Sequence, residues 1–403
     1  MINIGMGLSV EKNPNLAAKE ALRKALTGLP NKKANLAIVF SSPNNAHPNV
    51  LKTISYSIPG ISIIGASGSA VFSNYGVFKN ALALMLLELP AGFYFNTSSI
   101  KGTSSSPTIS LGEELGNRLL HKFHNMPRSF GIVISDGLIE ENSNIVYGLQ
   151  EKLGKSFPLL GASTSYNYKT LPMPLYSEEE ILHDAATAMI FGGNLNFGMG
   201  IKHGWKPLGK PHTITSAYAN VIREIDNAPA TRFYERYLDC DINKLKKELK
   251  HISMLYPIGI RIPGEKEYLL RNITAIEDDG AIYLRGNVTE GSIIRLMIGT
   301  KITCLEAAKE AAQEAQQSLT GPIMGIKKKD ARKFAIVFNS FSRYSLLQRE
   351  TNKELKIIKD TLGNDVPIIG ICTYGELAPL RTVAYRGQIY FHNQTISVLL
   401  IEG

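Results

Sequence analysis

Short, continuous apolar runs are the dominant pattern of this chain, and three of them are alike. The runs at residues 37–40, 131–134 and 335–338 are rich in valine and isoleucine, and small polar residues follow each one. Apolar runs of this length without polar alternation are typical of strands that are buried on both faces. Each run therefore predicts a strand in the interior of a sheet.

Each of these three runs opens a longer repeated pattern. A helical segment follows the run, and then come a second apolar run that contains glycine and, further on, a third apolar run. The second runs lie at residues 63–67, 157–163 and 366–372, and the third runs lie at residues 81–87, 185–191 and 395–401. Because the same succession occurs three times, the sequence predicts three internal repeats of β-α-β-β form.

The segments between the first and second runs carry apolar residues at helical spacing. Residues 142–153 have them at positions 145, 146, 149 and 153 before Gly154, and residues 350–362 have them at positions 355, 357, 358 and 362 before Gly363. This spacing and the terminal glycine predict helices. Further helices are predicted at residues 15–26, 229–238 and 304–319.

The pattern changes between residues 255 and 298. Strand-length runs alternate there with turn signals such as Pro263-Gly264 and Asp278-Asp279-Gly280, which predicts an antiparallel meander. The predicted fold class is α/β with mixed α+β character, in which the repeated units form mixed sheets flanked by helices. We expect two domains, at residues 1–225 and 226–403.

The composition of the chain is typical of a soluble globular protein and narrows the classes of function to be considered. Hydrophobic residues make up 44% of the 403 residues and charged residues 20%, which is ordinary for a soluble globular protein. The three cysteines are too sparse for a disulfide framework and favour a reducing compartment. The first residues lack the basic and apolar regions of a signal peptide, so we expect a cytoplasmic protein without membrane insertion.

Motifs for other classes of partner are missing from the sequence. The net charge of +9 is modest, and the basic run at residues 327–333 is typical of a solvated loop, so we expect no nucleic-acid partner. The sequence has no metal-ligand spacing, no Walker loop and no Gly-x-Gly-x-x-Gly motif after a strand. We therefore expect neither a metal nor a cofactor.

Several stretches carry a family resemblance. In the first half they are residues 37–43 with 63–68, and residues 200–207 with 225–230; in the second half they are Arg343, Glu350, residues 374–376 and residues 392–395. Together they resemble a FIST-domain protein with a FIST N-terminal and a FIST C-terminal domain in tandem. The resemblance implies a sensory module of prokaryotic, chiefly bacterial, signal transduction that binds small ligands such as amino acids.

Two stretches depart from the pattern of that family. At residues 338–343 the family leads us to expect a cysteine and a glycine before the arginine, and this chain has neither there. Residues 381–390 resemble an insertion before His392. Both departures lie in the C-terminal domain, close to the residues that resemble its closing motif.

Small residues at one position of the repeats are the first candidates for ligand binding. Ser67, Ser163 and Cys372 each stand two residues after the glycine of a second run. Open α/β sheets bind ligands beyond the carboxyl ends of their strands, where N–H groups and hydroxyls hold carboxylates or phosphates. The alternative is that Gly-x-Ser is only a tight turn that every repeat needs.

Charged residues near predicted strand ends are the second group of candidates. Arg343 and Glu376 belong to the third repeat, and Asp136 belongs to the second. An arginine binds carboxylates through two hydrogen bonds and an acidic side chain accepts an amino group, so together they suit a zwitterion. The alternative is an internal ion pair or solvated loop charges. Tyr374 and His392 are expected to line the same cavity, in the C-terminal domain.

Three functions remain open, and a non-enzymatic ligand sensor explains the residues best. An enzyme would use Cys372 or Ser67 as its nucleophile, but residues 65–69 lack the final glycine of the Gly-x-Ser-x-Gly elbow. The third possibility is a scaffold that only assembles partners. Since no kinase, receiver or DNA-binding segment is visible, we expect a sensor to pass its signal to a separate signalling protein.

Overall fold

The computed structural model describes residues 1–123, 125–137, 142–164, 173–319, 331–380 and 388–403, and residue 142 by its backbone alone. Strands are numbered β1–β25 and helices α1–α10 along this part of the chain. Residues 327–330 of the basic run and residues 381–387 of the insertion-like stretch lie outside the described residues.

Two mixed sheets pack face to face and form the body of the molecule. Sheet A has the strand order β1-β6-β2-β3-β10-β11. Its strands are β1 (Asn3–Ser9), β2 (Leu36–Ser41), β3 (Ser62–Ser67), β6 (Leu82–Glu88), β10 (Leu175–Ser177) and β11 (Glu180–Leu182).

Sheet B has the order β13-β25-β22-β23-β9-β8-β12-β7, and β4 and β24 also pair with β23 while β5 pairs with β4. Its strands are β4 (Val71–Ser73), β5 (Gly76–Phe78), β7 (Phe93–Lys101), β8 (Phe130–Ser135), β9 (Leu159–Thr164), β12 (Ala185–Gly193), β13 (Asn196–Lys202), β22 (Lys333–Ser340), β23 (Ile368–Ala378), β24 (Tyr390–His392) and β25 (Ile396–Glu402).

Helices cover the outer face of each sheet. Sheet A carries α1 (Pro14–Thr27) and α2 (Pro48–Ser57), and sheet B carries α3 (Thr108–Leu120), α4 (Asn142–Leu153), α8 (Lys301–Gln317), α9 (Phe341–Leu347) and α10 (Thr351–Leu362). Short 3-10 turns lie at Pro43–Asn45, His121–Phe123 and Gln348–Glu350. The main core lies between the sheets, where the rings of Phe40 and Phe338 meet edge to face with centroids 6.1 Å apart. The layers therefore run helix, sheet, sheet, helix.

A third sheet is entirely antiparallel and contains the strands predicted between residues 255 and 298, but these strands do not form a meander, because the consecutive strands at residues 268–271 and 273–276 lie at its opposite edges. Its order is β18-β17-β21-β14-β15-β20-β19, with β16 paired to β15. Its strands are β14 (Lys206–Tyr218), β15 (Val221–Ile225), β16 (Ala228–Pro229), β17 (Ile258–Arg261), β18 (Tyr268–Arg271), β19 (Ile273–Ile276), β20 (Ile282–Leu284) and β21 (Ile293–Ile298), and it packs with α5 (Thr231–Leu238), α6 (Ile242–Lys247) and α7 (Leu249–Leu255). Residue 225, the predicted domain boundary, is the last residue of β15 and lies within this sheet. Sheet B contains strands from both sides of residue 225.

The three predicted repeats are present as equivalent units. They are β2-α2-β3-β6, β8-α4-β9-β12 and β22-α10-β23-β25. In each unit the first strand pairs in parallel with the second and antiparallel with the third. The α/β prediction with mixed sheets and flanking helices is thereby confirmed.

The glycine of each second strand is required by a close approach of two strands. A Cβ on Gly65 would lie 1.8 Å from the carbonyl oxygen of Val39, and the equivalent distances are 2.2 Å for Gly161 and 2.4 Å for Gly370. The tight-turn interpretation of Gly-x-Ser is therefore wrong. Ser67, Ser163 and Cys372 do occupy equivalent register positions, but they lie within strands rather than in turns.

Candidate functional site

The two faces of sheet B separate the residues predicted from the third repeat. Cys372 packs with the helix-side core beneath α8 and α10, whereas its neighbour Ile371 packs between the sheets. Thr373 therefore points between the sheets. A bulge at Tyr374 adds one residue to β23, so Glu376 points to the same inter-sheet side as Thr373.

Glu376 is a fully buried carboxyl that accepts hydrogen bonds from hydroxyl and amide groups. Thr373 Oγ1 donates to its Oε1 at 2.5 Å, and the hydroxyl and N–H of Thr395 donate to its Oε2 at 2.5 and 3.2 Å. Burial raises the pKa of Glu376 to about 7, although these three hydrogen bonds and the charge of Arg343 lower it. In the described part of the chain, no lysine, arginine or histidine forms an ion pair with Glu376.

Arg343, which the sequence suggested as the companion of Glu376, lies on the helix side of the sheet. Its Nε donates to Asn339 Oδ1 at 3.1 Å, its Nη1 donates to the carbonyl of His203, and its Nη2 donates to the carbonyl of Cys304 at 2.8 Å and to Glu354 Oε1 at 2.5 Å. Both Arg343 and Glu354 are 0% exposed. This is the internal ion pair that the sequence left open as the alternative for Arg343.

Cys372 and Ser67 lie in surroundings that do not activate a nucleophile. Burial raises the pKa of the Cys372 thiol well above its ordinary value, and the nearby Glu354 and Glu376 raise it further. A thiol in such surroundings stays protonated and is a poor nucleophile. Ser67 is buried on the helix side of sheet A, where its hydroxyl donates to Met173 Sδ at 3.7 Å.

Ser163 and His392 hydrogen-bond to backbone carbonyls of β23 at the same end of the sheet. The Ser163 hydroxyl donates to the carbonyl of Gly375 at 3.5 Å. His392 Nε2 lies 3.0 Å from the carbonyl oxygen of Ala378, which makes this nitrogen the donor. Burial lowers the pKa of His392 to about 3, so the ring is neutral and fastens β24 to the end of β23.

The turn after β8 contains Asp136 and Gly137, and Gly137 approaches the bulge of β23 through Thr164. The Asp136 carboxylate accepts from the N–H of Asp184 at 2.9 Å, and the N–H of Gly137 donates to Thr164 Oγ1 at 3.0 Å. Thr164 in turn lies opposite Thr373 across the β9–β23 ladder. The carboxyl ends of the parallel pair β8 and β9 therefore meet the third repeat at this bulge.

Arg285 completes this group, and the sequence gave no reason to single it out. It follows β20 in the antiparallel sheet, its guanidinium lies 3.6 Å from the ring centroid of Tyr374, and its Nη2 donates to the carbonyl of Gly137 at 2.8 Å. Both Arg285 and Tyr374 are half-buried. Since Arg285 belongs to none of the repeats, only the packing of the third sheet against sheet B places it here.

We call these residues the strand-end cluster: Asp136, Gly137, Thr164, Arg285, Thr373, Tyr374, Glu376 and Thr395. The cluster has two parts, the fully buried Glu376 with its threonine donors and the half-buried Arg285 stacked on Tyr374, and Gly137, Thr164 and Thr373 link them. The described ranges contain no group of three or more histidine, cysteine, aspartate or glutamate side chains arranged to hold a metal ion. The side chains of the cluster can form hydrogen bonds and charge pairs.

The helices of the described segments differ from those that span a bilayer. None of them combines the length and the hydrophobicity that crossing a membrane requires.

Comparison with known proteins agrees with the family resemblance. Residues 35–228 match the FIST N domain, and residues 230–379 match the FIST C domain. An uncharacterized protein of Mycobacterium tuberculosis is 22% identical over 413 residues, with 99% of both chains covered. An uncharacterized protein of Methanocaldococcus jannaschii is 23% identical over 265 residues, which cover 60% of this chain and 49% of that protein.

Among solved structures, that of cyanuric acid hydrolase from A. caulinodans has a TM-score of 0.38 to this chain at 8% identity, with 100% of this chain and 99% of that chain covered. The two domain matches span most of the sequence and follow each other in the order that the motifs predicted. The chain belongs to the FIST family, with a FIST N domain followed by a FIST C domain.

Proposed function

We propose that the protein is a sensory module of signal transduction that binds an amino acid or a similar small zwitterion at the strand-end cluster. FIST domains are associated with signal transduction, which supports the sensory role. The ligand class is inferred from the side chains of the cluster. Of the residues predicted from the sequence, the proposal gives direct ligand contacts to Glu376, Tyr374 and Asp136, and it adds Arg285.

One observation carries the proposal: Glu376 is a buried carboxyl whose only partners among the described residues are hydroxyl and amide donors. A buried carboxylate is costly unless a cation pairs with it, and its pKa rises as a result. The ammonium group of a ligand supplies the missing positive charge. Binding then converts an unfavourably placed carboxyl into one member of a charge-assisted hydrogen bond.

Arg285 and Tyr374 supply the complementary end of the site. A guanidinium held flat against an aromatic ring keeps its edge N–H groups in one plane, which suits two parallel hydrogen bonds to a carboxylate. Arg285 is also fixed by its bond to the carbonyl of Gly137. The arrangement is therefore ordered before a ligand arrives, which reduces the entropy lost on binding.

The enzyme alternative has less support from the surroundings of the two nucleophile candidates. Cys372 is buried among groups that raise its pKa, and Ser67 donates to a methionine sulfur. A catalytic serine or cysteine needs a neighbouring base or a lowered pKa. The proposal therefore keeps binding, without covalent chemistry, as the role of the cluster.

A thermal-shift screen of the full chain against free amino acids and small metabolites tests the proposal. A ligand that binds only the folded state stabilises it by about 2.7 kcal/mol at a hundred times its Kd. We expect at least one zwitterion to raise the Tm, and we expect its N-acetylated and its amidated forms to raise it far less. A screen in which every amino acid leaves the Tm unchanged, or in which the N-acetylated form is equally effective, contradicts the proposal.

A further inference from the structure

Two fully buried amide side chains lie just before β25, and each has one polar atom without a hydrogen bond. Asn393 and Gln394 are both 0% exposed. Among the described residues, Asn393 Nδ2 has no acceptor and Gln394 Oε1 has no donor. Buried polar atoms in folded proteins nearly always have a hydrogen-bond partner, so two exceptions in consecutive residues indicate that a further group completes them. We call these two side chains the amide pair.

The hydrogen bonds that the amide pair does make determine which atoms are left over. Asn393 Oδ1 accepts from the N–H of Asn272 at 2.8 Å, so Nδ2 cannot take its place. Gln394 Nε2 donates to the carbonyl of Ser253 at 2.8 Å and to Asn272 Oδ1, so Oε1 cannot take its place. Turning either amide over would set donor against donor or acceptor against acceptor. The amide pair therefore presents one free donor and one free acceptor.

Direct contacts connect the amide pair to both charged residues of the strand-end cluster that the proposed function uses. Asn272, to which both amides bond, accepts at its carbonyl from the N–H of Arg285 at 2.8 Å. Thr395, the next residue along the chain, donates to Glu376 through its hydroxyl at 2.5 Å and its N–H at 3.2 Å. The free atoms of the amide pair thus lie one residue away from the partners of Arg285 and Glu376.

We infer that the amide pair binds the side chain of the ligand, and that the ligand is an amino acid with a primary carboxamide, asparagine or glutamine. A primary carboxamide has an oxygen that accepts and an NH₂ group that donates. Its oxygen accepts from Asn393 Nδ2 and its NH₂ group donates to Gln394 Oε1, so both buried atoms gain the partner they lack. The inference rests on the proposed function, in which Glu376 and Arg285 bind the ammonium and carboxylate groups of the same ligand.

The amide pair disfavours the acidic amino acids of the same shape. The ionised side chains of aspartate and glutamate only accept hydrogen bonds, so one of their oxygens would face Gln394 Oε1 with no proton between them. An apolar side chain would leave both buried atoms unpaired. Sites that hydrogen-bond a substrate group discriminate strongly against analogues that lack it, because the buried protein atoms are then left without partners.

Calorimetric titration of the full chain with free L-asparagine, L-aspartate, L-glutamine and L-glutamate tests this inference. We expect one of the two carboxamides to bind at least about tenfold more tightly than the acid of the same shape. Water satisfies the amide pair without distinguishing between ligands, so equal affinities for carboxamide and acid overturn the inference. If neither carboxamide binds but another zwitterion does, and Glu376→Gln weakens that binding, the inference fails while the proposed function stands. If no amino acid binds, both fail.

Asn393→Asp assigns the preference to the amide pair. The substitution keeps the oxygen that accepts from Asn272 and replaces Nδ2 with an acceptor, so the affinity for the carboxamide should fall at least about tenfold. Asn45→Asp, at a buried asparagine in the turn after β2, is the matched control and should bind as the wild type does. Circular dichroism checks that both variants fold. Unchanged affinity in Asn393→Asp overturns the inference, and if this variant does not fold, the comparison of carboxamide with acid on the wild type decides.

Discussion

Arg343 pairs with Glu354 and not with Glu376, and the two carboxyls lie on opposite sides of the same sheet. The Arg343–Glu354 contact is 2.5 Å long and both side chains are fully buried. Glu376 is equally buried, but it accepts hydrogen bonds from Thr373 and Thr395. The third repeat therefore contains one carboxyl that forms an ion pair and one that, among the described residues, forms none, although the charge of Arg343 also acts on it.

The first prediction compares these two carboxyls by the same substitution. Glu354→Gln should lower the free energy of unfolding by about 3–5 kcal/mol, because it leaves the Arg343 charge buried and unpaired. Glu376→Gln should change it by less than about 1 kcal/mol near pH 7, because an amide replaces a carboxyl that forms no ion pair among the described residues. Urea denaturation of both variants measures the difference, and the reverse order would contradict the assignment.

The repeats could be predicted because their signal is local. Each strand is a run of buried, mostly apolar residues, and each helix has its own apolar spacing and its own terminal signals, so no knowledge of distant contacts was needed. Glu354 also left a signal that can be recognised afterwards. It lies on the buried face of α10 with Leu355 and Ile358, where an acidic residue requires a cationic partner.

The composition of the site could not be predicted in the same way. The bulge at Tyr374 decides the face to which Glu376 points, and the residues around it do not specify a bulge. Arg285 reaches the cluster only because the antiparallel sheet packs against the end of sheet B. Both facts depend on contacts between residues that are far apart in the sequence.

The second prediction concerns the pH dependence of stability. The pKa of Glu376 is raised to about 7 in the folded state from an ordinary value of 4.5, so the folded state holds the proton more tightly. Its contribution is complete below about pH 4.5 and is lost as the pH rises through about 7, by roughly 3 kcal/mol in total. The difference in unfolding free energy between the wild type and Glu376→Gln should follow this course.

The comparison with Glu376→Gln is needed because His392 acts in the opposite direction. Its pKa is lowered to about 3 from 6.5, so it destabilises the folded state as the pH falls below about 6.5. This contribution is common to both proteins and cancels in the difference. A difference that stays constant between pH 4.5 and 8 would mean that Glu376 is ionised in the folded protein at low pH.

The third prediction concerns the reactivity of the cysteines. Cys372 and Cys304 are buried, and burial raises the pKa of Cys304 to about 11 and that of Cys372 well above its ordinary value. Iodoacetamide should therefore modify the partly exposed Cys240 first, and the other two only after unfolding. Mass spectrometry of the time course checks this order. Rapid, selective labelling of Cys372 would instead favour the enzyme alternative.

The last prediction concerns the affinity of the strand-end cluster for a zwitterion identified by the thermal-shift screen. Glu376→Gln should weaken binding by about 2–5 kcal/mol, because the ligand ammonium then lacks its charged partner. Arg285→Lys should also weaken binding, since a lysine keeps the charge but loses the planar pair of donors and the stacking on Tyr374. Glu402→Gln, at the far end of β25, is the matched control and should bind as the wild type does.

Because the ammonium pairs with the ionised form of Glu376, the affinity of the wild type should rise with pH up to about 7 and then level off. Calorimetric titrations between pH 5.5 and 8 measure both effects, and an affinity that is independent of pH in the wild type and equal in Glu376→Gln would show that the ligand binds elsewhere.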